Sequence, residues 1–270
     1  MSEYNKDNGF IAYEGPSRLD GKPIVVIVTG VGCPSKRSKN TKTGPMAQVF
    51  IIRSHIDPIN AISSGGDESI CGKCPMRGVL EKKADGTTTN RMRSCYVEVD
   101  KSVLSIYGAY KRGAYPKLTP DVRWETQETR LGAYGDPSAA PFAVMKDLVS
   151  RGHKKNTGYT HQHADRKFHP MRKLVMASVH SKEEAVKLHE KGWRTFRTMS
   201  PGDTLLPNER ACPASEEGGK RMTCDRCLGC SGTGIKDTRG KAISFAIVAH
   251  GSPSKLSSYN KTFSELPVIS

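Results

Sequence analysis

No apolar run in this 270-residue chain approaches the roughly 20 residues that a membrane-spanning helix needs. The N-terminus, MSEYNKDNGF, has no apolar stretch behind a basic start, so no secretory signal is expected. No internal repeat or low-complexity tract stands out. Hydrophobic residues make up only 36%, low for this length, although short strand-like apolar runs are plain. Acidic residues are scarce: 27 Asp and Glu stand against 42 Lys and Arg, a formal net charge of +15. An excess that large favours an acidic partner, nucleic acid above all. A merely soluble basic protein is the alternative. These absences leave no membrane partner and a cytoplasmic location as the expectation. Thiols stay reduced there, which favours metal ligation over disulfides.

Thiols are what the chain has in quantity. Its 8 cysteines form two groups. The denser is Cys212 with Cys224-x2-Cys227-x2-Cys230, and a C-x-x-C turn sets both sulfurs on one side of a knuckle. The looser is Cys71-x2-Cys74 with Cys95 and, upstream, Cys33. Two sets of four predict two metal sites, with His250 in reserve for Cys212. For Cys33 and Cys95, unrelated free thiols are the competing reading.

Strand-length runs rich in β-branched residues occur at 24–28, 49–52, 96–99, 130–134, 157–160, 174–179, 195–197 and 245–248. Helix-like segments lie at 101–112, 138–151 and 182–191. In LVMASVHSKEEAVKLHEKGWRTFRTM a strand ends at Val179 and Ser181 caps a helix that Gly192 closes. A second strand follows, so the two should be parallel. RLGAYGDPSAAPFAVMKDLVSRGHKKNTGYTH has the same form. The expected fold class is α/β, a sheet or a (β/α) barrel-like arrangement, complete or not, with cysteine-rich metal-binding insertions. The expected organisation is a single α/β domain over 1–270. A cysteine-containing insertion is expected at 56–95 and a C-terminal metal-binding segment at 201–240.

In a parallel α/β protein functional groups gather at the C-terminal ends of the strands. Asp136, between Gly135 and Pro137 where a strand gives way to a helix, is the leading catalytic candidate. A helix cap is its bland alternative. Asp67, in the Gly-rich stretch 63–68, is second. Tyr159 and His161 are candidates for a base pocket. Lys36, Arg37, Lys39 and Lys42 in a basic loop, with Arg194 and Arg197, are candidates for gripping a nucleic-acid backbone. Trp193 and Phe196 read more simply as core.

With strand–helix alternation, the C-terminal thiols and these aspartates in hand, the chain resembles the guanine transglycosylase superfamily. The nearest type is the phage branch that exchanges guanine in DNA for a 7-deazaguanine base, a DNA modification serving restriction evasion. The resemblance implies a β/α barrel, an aspartate nucleophile, a modified-base small-molecule substrate and a host cytoplasm. It also implies a structural Zn2+, for which Cys224, Cys227, Cys230 and His250 match the family's set in kind and order. The chain departs from the family in the spacing of the first two cysteines, in its shortness and in the Cys71/Cys74/Cys95 group. RLGAYGDPSAAP is also similar to the cofactor-binding turn of radical SAM enzymes. That likeness implies an iron–sulfur cluster, although their C-x3-C-x2-C motif is absent. A metal-stapled nucleic-acid-binding protein without catalysis is the third reading.

Overall fold

A computed structural model describes residues 9–31, 35, 37–153, 155–232, 236, 238, 240 and 242–264. Cys33 and Lys36 lie outside the described residues. The chain is mixed α/β. One sheet has the order β1-β2-β3-β6-β7 and another the order β11-β12-β10-β9-β8. Its strands are β1 (Phe10–Pro16), β2 (Pro23–Thr29), β3 (Ala47–Arg53), β6 (Thr129–Tyr134), β7 (Asn156–Thr157), β8 (Tyr159–Thr160), β9 (Met176–Val179), β10 (Thr195–Met199), β11 (Glu209–Ala211) and β12 (Ser244–Val248). From β3 onward each neighbouring pair is parallel, while β1 and β2 are antiparallel additions. A separate hairpin, β4 (Val79–Lys82) and β5 (Thr88–Arg91), lies outside both sheets.

The two βαβ units expected from the sequence are present. α4 (Phe142–Ser150) links β6 to β7, and α5 (Lys182–Glu190) links β9 to β10. Ser181 caps α5 by accepting from the Glu184 amide at 3.1 Å. The run at 96–99 is not a strand. It is extended backbone without a strand neighbour that enters a wide turn at Val99–Val103 and then α3 (Leu104–Lys111). Tyr96 and Val97 line a cavity instead of joining a sheet. Short elements with weak periodicity escape the sequence pattern: β1, β11, α1 (Pro58–Ser64), α2 (Glu68–Cys71), α6 (Cys224–Cys227) and α7 (Pro253–Ser264). No helix among the described residues is long and apolar enough to cross a membrane.

Only Gly158 separates β7 from β8, so one bent segment belongs to both sheets. A Cβ there would stand 2.7 Å from Val175 Cγ1 and 3.1 Å from Leu131 Cβ, so the bend accepts no side chain. The sheet also curls. Residues from β2, β3, β6, β7, β8, β10 and β12 line one cavity of about 740 Å3. A flat sheet at ~4.8 Å per strand would hold β2 and β12 roughly 29 Å apart. Strand pairing between β1 and β11, which would close a barrel, is not among the described contacts.

The core of β2 and β3 is almost wholly aliphatic, with Val25, Val26, Ile27, Val28, Val49 and Ile51 fully buried. Among the half-buried polar groups, His189 is bonded at both ring nitrogens. His189 Nδ1 faces the Asn208 side-chain amide at 3.1 Å, which can only donate, while Nε2 faces the Thr195 and Ser244 hydroxyls at 2.9 and 3.0 Å. The ring is therefore neutral with its proton on Nε2. Burial lowers its pKa below the usual value. Stability from the neutral ring is thus fully present above about pH 6.5 and lost as pH falls from there. We expect a shallower loss of urea stability between about pH 6.5 and 5 in H189Q than in the parent chain. Equal slopes would exclude a contribution from this ring.

Candidate functional site

The interior cavity is lined by Gln48 and Phe50 of β3, Arg130 and Ala133 of β6, Thr157, Tyr159, Phe196 and Ile247. Tyr96, Tyr115 and Ile106 line it from outside the sheet. Strict alternation would send Arg130 and Ala133 to opposite faces. The alternation is interrupted between them: Gln48 pairs with Arg130, but Phe50 pairs with Tyr134, so β6 carries two extra residues in a bulge. Gly132, at φ +68°, supplies the backbone conformation the bulge needs.

Arg130 is the unusual group in this cavity. Its Nη1 donates to Gln48 Oε1 at 3.3 Å, and among the described residues it forms no ion pair. A guanidinium has five N–H donors, so most of its capacity faces the cavity. Burial lowers its pKa. Tyr159 lies beside it, tilted against Phe196 with ring centroids 4.6 Å apart, and its hydroxyl bonds the Cys230 thiol.

A groove of about 990 Å3 continues from the cavity, sharing Ser38, Asn40, Lys42 and His250 with it. Lys39, Lys42, Lys220, Arg221 and Arg226 line the groove against Glu216, Glu217 and Asp225. Two of the basic-loop candidates, Lys39 and Lys42, are therefore at the groove. Arg37 is tied by Nη2 to the Thr126 hydroxyl at 2.9 Å.

Arg194 and Arg197 are corrections to the sequence reading. Arg194 is buried and donates to the carbonyls of Ile243, Ser231 and Gly229 at 2.7, 2.5 and 2.8 Å. It clamps the cysteine segment and offers nothing to a phosphate. Arg197 is fully buried, bidentate to Glu209 at 2.9 and 2.7 Å and paired with Asp203.

The two aspartates do not open onto one cavity. Asp136 is buried and its carboxylate is spent on the fold. Oδ1 accepts from the Ser138 amide at 2.9 Å, and Oδ2 from the His161 amide at 2.8 Å and Gln162 Nε2 at 3.2 Å. Burial still raises its pKa, outweighing those bonds. Asp67 is buried against Arg77, with Oδ1 2.7 Å from Nη2. Arg77 also donates to Gly72 and Gly65, so the pair braces the Cys71-x2-Cys74 turn. Neither carboxylate lines the base-sized cavity.

The C-terminal thiols occupy the opposite edge of the sheet from Asp136. Cys224 and Asp225 amides donate to the carbonyls of Lys42 and Thr43, ahead of β3, and the Cys230 carbonyl accepts from Gly158. Burial raises the pKa of Cys212, Cys224 and Cys230, and the neighbouring thiols of the same four-cysteine group raise them further. His250 turns elsewhere. Its Nδ1 is 2.9 Å from the Val248 carbonyl, Nε2 is 3.4 Å from Lys42 Nζ, and its ring stacks on Tyr96.

Cys71, Cys74 and Cys95 gather at the C-terminal edge, and two histidines join them. His161 follows β8 and His180 follows β9. His161 Nε2 is 3.9 Å from Cys74 Sγ and 3.2 Å from His180 Nε2. His161 is thus part of this cluster and not of the cavity that Tyr159 lines. In the sequence each histidine directly follows a strand-like run, 157–160 and 174–179, but their meeting with the cysteines depends on the crossovers. Among the described residues no three donors, as they stand, close a coordination sphere. Comparison with protein-family models, with curated proteins and with solved structures finds no match to this chain.

Proposed function

We propose that this chain binds a polynucleotide along the cationic groove and takes a guanine base into the interior cavity. The observation that carries this reading is Arg130, a guanidinium without a carboxylate partner inside an aromatic-lined cavity. Two N–H groups of an arginine match guanine O6 and N7. Phe50, Tyr159 and Phe196 offer faces for stacking, and the cavity volume falls within the usual range for small-ligand sites. The groove's lysines and arginines suit the phosphates on either side of an unstacked nucleotide. Zn2+ on Cys212, Cys224, Cys227 and Cys230 belongs to the same reading. It would hold the segment next to Arg130, where the longest regular element is the four residues of α6.

Exchange of guanine for a 7-deazaguanine base needs a nucleophile beside the sugar. Asp136 and Asp67 are not placed for it. Among the described residues the one carboxylate lining the cavity is Glu98, which is exposed and paired with Lys101. The reading therefore extends to base recognition and stops short of the exchange step.

The test is binding of single-stranded oligonucleotides by fluorescence anisotropy over a salt series. A guanine-containing strand should bind more tightly than its all-pyrimidine counterpart. Arg130→Met should weaken the guanine strand about 5- to 150-fold and leave the pyrimidine strand unchanged. Lys39→Ala and Lys42→Ala should each lower the salt slope by about 0.7. A flat salt response, or no preference for guanine, would sink the proposal.

A further inference from the structure

We infer that Cys74, Cys95, His161 and His180 form a Zn2+ site at the C-terminal edge of the parallel strands, distinct from the C-terminal cysteine segment. Tetrahedral zinc with Zn–N of about 2.05 Å and Zn–S of about 2.3 Å has N···N edges of about 3.3 Å and N···S edges of about 3.6 Å. The His161–His180 nitrogen separation is 3.2 Å and the Cys74–His161 separation 3.9 Å. One edge is met, and the other closes with a movement of a few tenths of an ångström.

Hydrogen bonding around the cluster prepares His180 to ligate. The Tyr259 hydroxyl donates to the Thr198 carbonyl at 2.9 Å, so its oxygen can only accept from the His180 ring. His180 Nδ1, 3.4 Å away, therefore carries the proton, and Nε2 presents a lone pair toward His161. An outer nitrogen held by an oxygen, with the inner one bare, is how proteins orient metal-binding imidazoles. Phe263 stacks on the His180 ring with centroids 4.0 Å apart. His161 is fixed from its other side, since Asp136 holds its amide.

Cys95 is the fourth ligand because it packs with Cys74 in one small apolar cluster with Tyr259 and Phe263, the residues that hold His180. Cys71 packs instead into the main core. A second observation points to a missing group. The Tyr134 hydroxyl, on a side chain only 3% exposed, has no hydrogen-bond partner and lies near Cys71 and Cys95. A buried hydroxyl without a partner is costly, and a metal-bound thiolate beside it would accept a hydrogen bond from it. Binding one Zn2+ releases two protons, one from each thiol, while the proton that His161 Nε2 can share with His180 moves to Nδ1. Four protein ligands make a closed site, which would tie α7 and the Cys74–Cys95 segment to β8 and β9.

The full chain is purified, equilibrated with Zn2+, desalted and analysed for bound metal. H161Q, H180Q and C74S should each hold one ion fewer per chain than the parent, while C71S holds the parental number. Any ion in the C-terminal segment contributes equally to all of them. Imidazole 15N spectra of the unmutated chain give the answer if a variant fails to fold. Added Zn2+ should shift Nε2 of His161 and His180 but not that of His189. Unchanged metal content in folded histidine variants, or unmoved His161 and His180 signals, would overturn the site.

Discussion

Arg197→Met should lower stability by about 3–5 kcal/mol, because it strands Glu209 as an unpaired buried charge. Both side chains have zero exposure, and Glu209 also accepts from the Leu206 amide at 2.9 Å. For a chain of this size the thermal midpoint should fall by roughly 6–20 °C. The double variant R197M/E209L should recover most of the loss, since an apolar pair of similar volume can replace a buried ion pair. Nucleic-acid affinity of the folded variant should match the parent's. A specific loss of affinity without loss of stability would return Arg197 to the binding surface.

Asp136→Ala should cost about 3 kcal/mol, seen as a drop of roughly 6–12 °C in midpoint. Ser138 is fully buried, and its amide and that of His161 would both lose their acceptor. Asp136→Asn keeps one acceptor oxygen and should cost about half as much. If D136A melts with the parent, the carboxylate is not the brace described. The variant should also weaken the proposed Zn2+ site, because the same carboxylate positions His161. Imidazole spectra with added Zn2+ would report this in chains that remain folded.

These two residues mark where sequence reasoning stops. β9–α5–β10 was legible because its cap, helix period and closing glycine are local signals. Trp193 was legible as core, and it is buried. Arg197 was misplaced because charge alone does not show what stands opposite. Its partners Asp203 and Glu209 follow within twelve residues, but only the turn between β10 and β11 brings them back. Asp136 sits after a strand, as expected, yet whether such a carboxylate faces a cavity or caps a turn depends on the direction of the next few residues. Pro137 and Ser138 curl under it. The Arg130 site was hidden by the bulge at Gly132, which interrupts the alternation that a sequence reading relies on.

The C-terminal cysteine segment is bonded to both halves of the sheet, and this bears on the order of assembly during synthesis. β1 to β7 are complete at Thr157, yet the residues that cap their lower edge, Cys224 and Asp225, lie roughly seventy positions later. At ribosomal rates of about 5–20 residues per second, the nascent first half waits on the order of 3–14 s for that cover. Its curled aliphatic sheet lacks that cover for the interval, so a stall between β7 and α6 is expected to raise aggregation relative to a stall after α6.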